Sequence, residues 1–148
     1  RNKMEYQRKH QQLILRLNRG EELLSAVRAV CKEEKILSAS VVGLGAADYV
    51  KLGVYSVARK EYIVRELSGE REIAALTGNV TAKDGAPYLH FHIAVCGEDG
   101  VVYGGHLNEA VISATAELYF TLYEILPERV QEEETGLNLL SFPKQRRF

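Results

Sequence analysis

The chain has 148 residues, 46% hydrophobic and 26% charged, with a net charge of −1 at pH 7. That length fits one domain, and a domain of this size buries about 68–70% of the surface its unfolded chain exposes. The near-zero charge calls for neither a nucleic acid nor a membrane partner. No apolar run approaches the roughly 18 residues of a membrane span, and the first residues carry no apolar signal core. Two cysteines, Cys31 and Cys96, are not a disulfide framework, and a reducing cytoplasm suits them best.

Residues 1–11 are polar and basic and read as a flexible arm, with His10 in solvent. Gln12–Leu17 is a short first strand, ended by Asn18-Arg19-Gly20. From Glu21 to Lys35, Leu23, Leu24, Val27, Val30 and Cys31 recur at three and four, the period of an amphipathic helix. Glu21 and Glu22 fall in its first turn, where the helix dipole favours negative charge. Cys31 lies on the apolar face and reads as a small buried hydrophobe.

From Ile36 the pattern becomes that of strands. Ser38–Ala47 is rich in small residues and reads as a bent or bulged strand. Strands follow over residues 49–58 and 61–67, with Arg59-Lys60 as the turn, and over 72–81, ending at a hairpin turn at Lys83-Asp84-Gly85. Residues 89–96 and 101–103 form another hairpin around Gly97–Gly100. Residues 108–114 read as a short helical connection and 115–125 as the closing strand. Past Pro127 the chain reads as a C-terminal tail, 127–148, with acidic Glu132-Glu133-Glu134 and basic Lys144-Gln145-Arg146-Arg147. One early helix and about seven hairpin-linked strands, with no βαβ alternation, predict an α+β fold. Its domain spans residues 12–126: a curved, mostly antiparallel sheet with the helix packed against it.

The chemistry concentrates in the second hairpin. Three of the four histidines, His90, His92 and His106, lie in it. His90 and His92 are two apart on a strand and therefore share a face. If Glu98-Asp99-Gly100 is a three-residue loop with Gly100 left-handed, Gly97 pairs with Val101 and His92 falls opposite His106. Opposed residues hold their Cβ atoms about 4.5–5.5 Å apart, close enough for three imidazoles to share one ion at about 2.0–2.1 Å per bond. A two-residue loop, or a bulge at Gly104-Gly105, would turn His106 away. Three neutral imidazoles suit zinc first, then nickel, copper or iron, and leave a fourth position open, as in catalytic sites. The competing readings are hydrogen-bonded structural histidines and a metal-free acid–base or ligand site.

Glu109, three residues after His106, is the candidate catalytic group, as a general base or as a carboxylate that orients a histidine. An exposed surface carboxylate is the competing reading. Cys96 shares the parity of His90 and His92 but lies far along the strand, and reads as buried core. Arg65, Lys51 and Tyr55 are candidates for holding a small anionic ligand.

The hairpin and its surroundings resemble the PPC (plants and prokaryotes conserved) domain. The resemblance rests on Gly78, Pro87, His90-Phe91-His92, the Asp99-Gly100 turn and Gly104-Gly105-His106-Leu107, and extends more loosely from the first strand to about Ile125. It implies a curved antiparallel sheet flanked by a helix, and a homotrimer with three-fold symmetry. Stand-alone members are similar in fold to acetolactate decarboxylase, whose zinc is held by a His-x-His pair and a further histidine. Carried over, that pattern falls on His90, His92 and His106. Plant relatives bind DNA through AT-hooks centred on Gly-Arg-Pro, a tripeptide absent here; Phe142–Arg147 has the charge but not the order. The expected function is a metal-binding homotrimer. The alternatives are a metal-dependent lyase or hydrolase acting on a small carbonyl or carboxylate compound, and a DNA-binding regulatory protein.

Overall fold

The structure, a computed structural model, describes residues 3–144. Its elements in order are β1 (Glu5–Lys9), β2 (Gln12–Asn18), α1 (Leu23–Glu33), β3 (Ala39–Ser56), β4 (Glu61–Lys83), β5 (Ala86–Cys96), β6 (Val102–Leu122), β7 (Glu128–Gln131) and β8 (Asn138–Ser141). The strands run β1-β2-β6-β3-β4-β7-β8, and β5 pairs with both β4 and β6. All pairings are antiparallel except a single parallel bridge, Ala82 to Glu128, between β4 and β7. Because β3 and β5 each pair with β4 and β6, the four long strands close on themselves. The α+β class holds, with one helix among the described residues.

The long strands are longer than the sequence pattern suggests. Bulges interrupt their two-residue alternation, so one strand reads as two. β3 slips register between Gly43 and Gly45 and again between Ala47 and Tyr49; β4 slips between Ile73 and Ala75. In β6 an extra residue near Leu107–Glu109 separates the pairs Leu52–Leu107 and Lys51–Glu109. That bulge puts two buried residues, Leu107 and Ala110, three apart, which imitates a helical period. Residues 108–114 are therefore strand and not a helical connection.

Both ends of the chain also differ from the expectation. Residues 5–9, read as part of a flexible arm, form β1 and pair residue by residue with β2. Their charged side chains suit an exposed edge strand, while Met4 and Tyr6 pack on the core. His10 sits in the turn at φ 53° and is exposed. The tail beyond Pro127 folds back as the β7–β8 hairpin, with the acidic run in its loop; Gln145, Arg146 and Arg147 lie outside the described residues.

The helix starts one residue later than the dipole argument requires. Glu22 is the N-cap, and its carboxylate accepts from the amides of Leu24 and Ser25, both at 2.9 Å. Glu21 precedes the helix and accepts from the amides of Met4 and Asn18 at 3.0 and 2.7 Å. Leu23, Ala26, Val27, Val30 and Cys31 are buried, as the spacing predicts. They lie in one core with Leu15, Leu17, Phe91, Ile93, Val95, Ile112 and Leu118. Burial pushes the Cys31 thiol up to about 12, so it stays protonated and inert.

Two turns carry the expected chemistry. Asp84 and Gly85 both have positive φ, 51° and 78°, the signature of a two-residue primed turn between β4 and β5. Gly100 sits at φ 74°, and the Gly100 amide donates to the Gly97 carbonyl at 3.0 Å. β5 therefore presents two faces: Phe91, Ile93 and Val95 in the core, His90 and His92 on the far side. Phe91→Ala is expected to cost about 3–5 kcal/mol in urea melts. His92→Ala, on the exposed face, is expected to stay within about 0.5 kcal/mol of the parent in metal-free protein.

Candidate metal centre

The turn at Gly100 sets the register of β5 against β6, and His92 lies opposite His106. β6 runs without a bulge through Gly104 and Gly105 against β5, so His106 keeps its side. The two glycines serve a different purpose: a Cβ on Gly105 would collide with the Gly53 carbonyl oxygen of β3. His106 is paired on its other side with that same Gly53. Small residues thus let three strands converge around one imidazole.

The ring centroids of His90, His92 and His106 lie 5.2, 5.5 and 6.0 Å apart, and their candidate ligand nitrogens all fall within 4.8 Å of one another. A tetrahedral ion with bonds of about 2.0–2.1 Å spaces its ligand atoms roughly 3.4 Å apart, a gap that side-chain rotation closes. No hydrogen bond among the described residues engages these imidazoles, which leaves their lone pairs uncommitted. The donor set, three neutral imidazoles without a carboxylate or thiolate, fits zinc or a neighbouring transition metal. Cys96 is half-buried and outside the cluster.

The histidines open into a cavity of about 440 Å³. Tyr62 lies against His106 with ring centroids 4.8 Å apart, and Tyr55 against Tyr62 at 4.9 Å. The remaining wall is the β7–β8 hairpin, which contributes Arg129, Leu137, Asn138 and Leu139. Contacts that hold it there include the Tyr55 hydroxyl donating to the Thr135 carbonyl at 2.6 Å, Lys60 Nζ to the Glu133 carbonyl at 2.8 Å, and Asn138 Nδ2 to the Tyr88 hydroxyl at 3.3 Å.

The sequence of this hairpin-and-sheet arrangement matches the profile of the Plants and Prokaryotes Conserved (PCC) domain over residues 4–124. The chain belongs to this family. Solved PPC-like structures agree with it closely in fold. A "putative DNA-binding protein" from Bacteroides thetaiotaomicron is 31% identical, with a TM-score of 0.91, over 95% of this chain and 99% of that one. A metal-containing protein from Archaeoglobus fulgidus is 36% identical, with a TM-score of 0.83, over 93% and 97%. A plant- and prokaryote-conserved (PPC) protein from Pyrococcus horikoshii is 34% identical, with a TM-score of 0.82, over 96% of each chain. No curated protein gave a significant match.

In this PPC domain the predicted ligands come together and several other predicted residues do not. Glu109 is half-buried on β6 opposite Lys51 and does not line the cavity. Of the three anion-binding candidates only Tyr55 reaches the cavity. Arg65 stacks on Tyr103, 5.4 Å from its centroid, and Lys51 is absent from the lining. Arg129, Tyr62, Tyr88 and Asn138 escape the sequence reading. Arg129 and Asn138 lie in the stretch taken for a tail. The alternation Glu128-Arg129-Val130-Gln131 after Pro127 was the one local signal of a strand there.

Burial keeps His90 and His106 in their ligand-competent form. The pKa of His90 is lowered to about 4, chiefly by burial, then by Arg129, His92 and His106. That of His106 is lowered by burial and by His92. Against an unfolded value near 6.5, the unfolded chain binds more protons between about pH 6.5 and pH 4. The contribution of neutral His90 is therefore complete above about pH 6.5 and lost as pH falls toward about 4. The urea midpoint of metal-free protein is expected to fall across that window, and the fall is expected to flatten in His90→Gln.

Proposed function

We propose that this protein binds one divalent transition-metal ion per chain, zinc in first place, through His90, His92 and His106, and works as a homotrimer. The observation that carries the reading is the convergence of three imidazoles, none engaged in a hydrogen bond among the described residues, at one cavity. The Archaeoglobus relative described as metal-containing supports it. An ion held by His90, His92 and His106 would supply Lewis-acid chemistry, as a lyase or hydrolase acting on a small carbonyl or carboxylate compound requires. The chain's own part is to hold His90 and His106 neutral and to line the site with Tyr55, Tyr62 and the β7–β8 hairpin. Glu109 lies opposite Lys51 in the sheet, away from the cavity lining, and is not a ligand in this reading. Unbridged Cys31 and Cys96 accord with a reducing, cytoplasmic setting. No helix among the described residues is long and apolar enough to cross a membrane.

Self-association has support on the sheet. Ile14, Tyr119 and Val42 form one cross-strand row, all exposed, with Leu44 beside it. Apolar groups ranked this way across adjacent strands suit burial against another copy, and closed cyclic symmetry is the rule for homo-oligomers.

A second reading, DNA binding, is favoured by the description given to the Bacteroides relative. The net charge of −1 weighs against it.

Elemental analysis of protein purified without chelator is expected to give close to one zinc-like ion per chain. His90→Ala combined with His92→Ala is expected to abolish that content, and Glu109→Gln to leave it unchanged. Metal-free protein under zinc-replete conditions would overturn the reading. Light scattering is expected to return about three times the 16.6 kDa chain mass, and a clean monomer would count against the trimer. For DNA, binding at low salt that weakens steeply as salt rises would support the second reading; no binding at low salt would remove it.

A further inference from the structure

We propose that Arg129 and the three-histidine centre form a single binding site for a small dicarboxylate, with one carboxylate held by the Arg129 guanidinium and the other directed to the histidine end. This deepens the metal-binding reading and rests on it for the second contact.

Among the described residues Arg129 has no counter-charge: it makes no ion pair, and its three bonded partners are neutral. Nε donates to Thr81 Oγ1 at 3.0 Å, one terminal nitrogen to Asn79 Oδ1 at 2.8 Å, and the other to the Asn138 carbonyl at 3.1 Å. A guanidinium has five N–H groups, so two remain for a ligand. The group is half-buried, and burial lowers its pKa. Partial burial of an unpaired charge is costly, which favours an anion beside it.

Its position is fixed. Asn79 and Thr81 lie two apart on β4, and their partners across β5 are His90 and Tyr88. Arg129 therefore spans the strand pair that carries His90, with its guanidinium carbon 5.2 Å from the Tyr88 ring centroid. The Tyr88 hydroxyl accepts from Asn138 and keeps its own proton to donate. Among the described residues, no aspartate or glutamate lines the cavity that Arg129 shares with the three histidines. An ion there would add positive charge to a wall that already holds an uncompensated cation. Its volume of about 440 Å³ lies within the range of small-ligand sites. Planar, forked Arg is the side chain that best matches carboxylate geometry.

Succinate and its neutral diamide, titrated calorimetrically into zinc-loaded and metal-free protein, test this. Succinate is expected to bind the zinc-loaded protein at least tenfold more tightly than the diamide. In Arg129→Gln the succinate affinity is expected to fall at least tenfold, with zinc content unchanged. Metal-free parent protein is expected to keep a weaker affinity that still depends on Arg129. Equal binding of succinate and diamide by the parent protein would overturn the proposal without any variant, should Arg129→Gln loosen the hairpin. So would unchanged succinate affinity in a variant that melts like the parent. Failure to take up zinc would overturn the metal reading alone, because Arg129 dependence in metal-free protein still decides this one.

Discussion

The pairing of His92 with His106 across β5 and β6 is the constraint on which the rest depends. A slip of one residue would reverse every side chain of β5 and send the histidines into the core. Two features hold the register. Gly100 takes the left-handed conformation that a three-residue loop requires, and Phe91, Ile93 and Val95 are buried on the face opposite the histidines. Burying that apolar face and collecting the imidazoles are one event, so the stability of the core also maintains the site.

Closure of the four long strands supplies what a lone hairpin cannot. An isolated two-stranded hairpin is marginal in water. Here β5 is bound on one edge by β4 and on the other by β6, while β3 brings Gly53 beside His106. Glycine at 105 permits that approach, since a side chain there would strike the Gly53 carbonyl. Bulges in β3, β4 and β6 supply the bending needed to close the cycle. Irregularity in the strands is thus part of how the site is built.

The β7–β8 hairpin changes the character of the cavity. Without it the histidines would sit on an open sheet face. With it they share a cavity with Arg129 and three tyrosines and, among the described residues, no carboxylate. The burial that lowers the pKa of His90 and the burial that lowers that of Arg129 both come from the packing around this cavity.

Local sequence determined the helix, through the spacing of Leu23, Val27, Val30 and Cys31. It determined the turns, through Asp84-Gly85 and Gly100. It determined the three candidate ligands as well, through strand parity and loop length. These are properties of neighbouring residues, and the physics of a turn or a pleat needs nothing further. Tertiary structure decided the lengths of β3, β4 and β6, because bulges erase the alternation by which a strand is recognised. It decided that residues 5–9 pair as an edge strand and that the stretch after Pro127 returns as a wall. It also decided that Arg129, rather than Arg65 or Lys51, faces the histidines, and that Glu109 does not. Arg129 and His90 are brought together only by the packing of β7 beside β4, a contact between segments distant in sequence that no local pattern encodes.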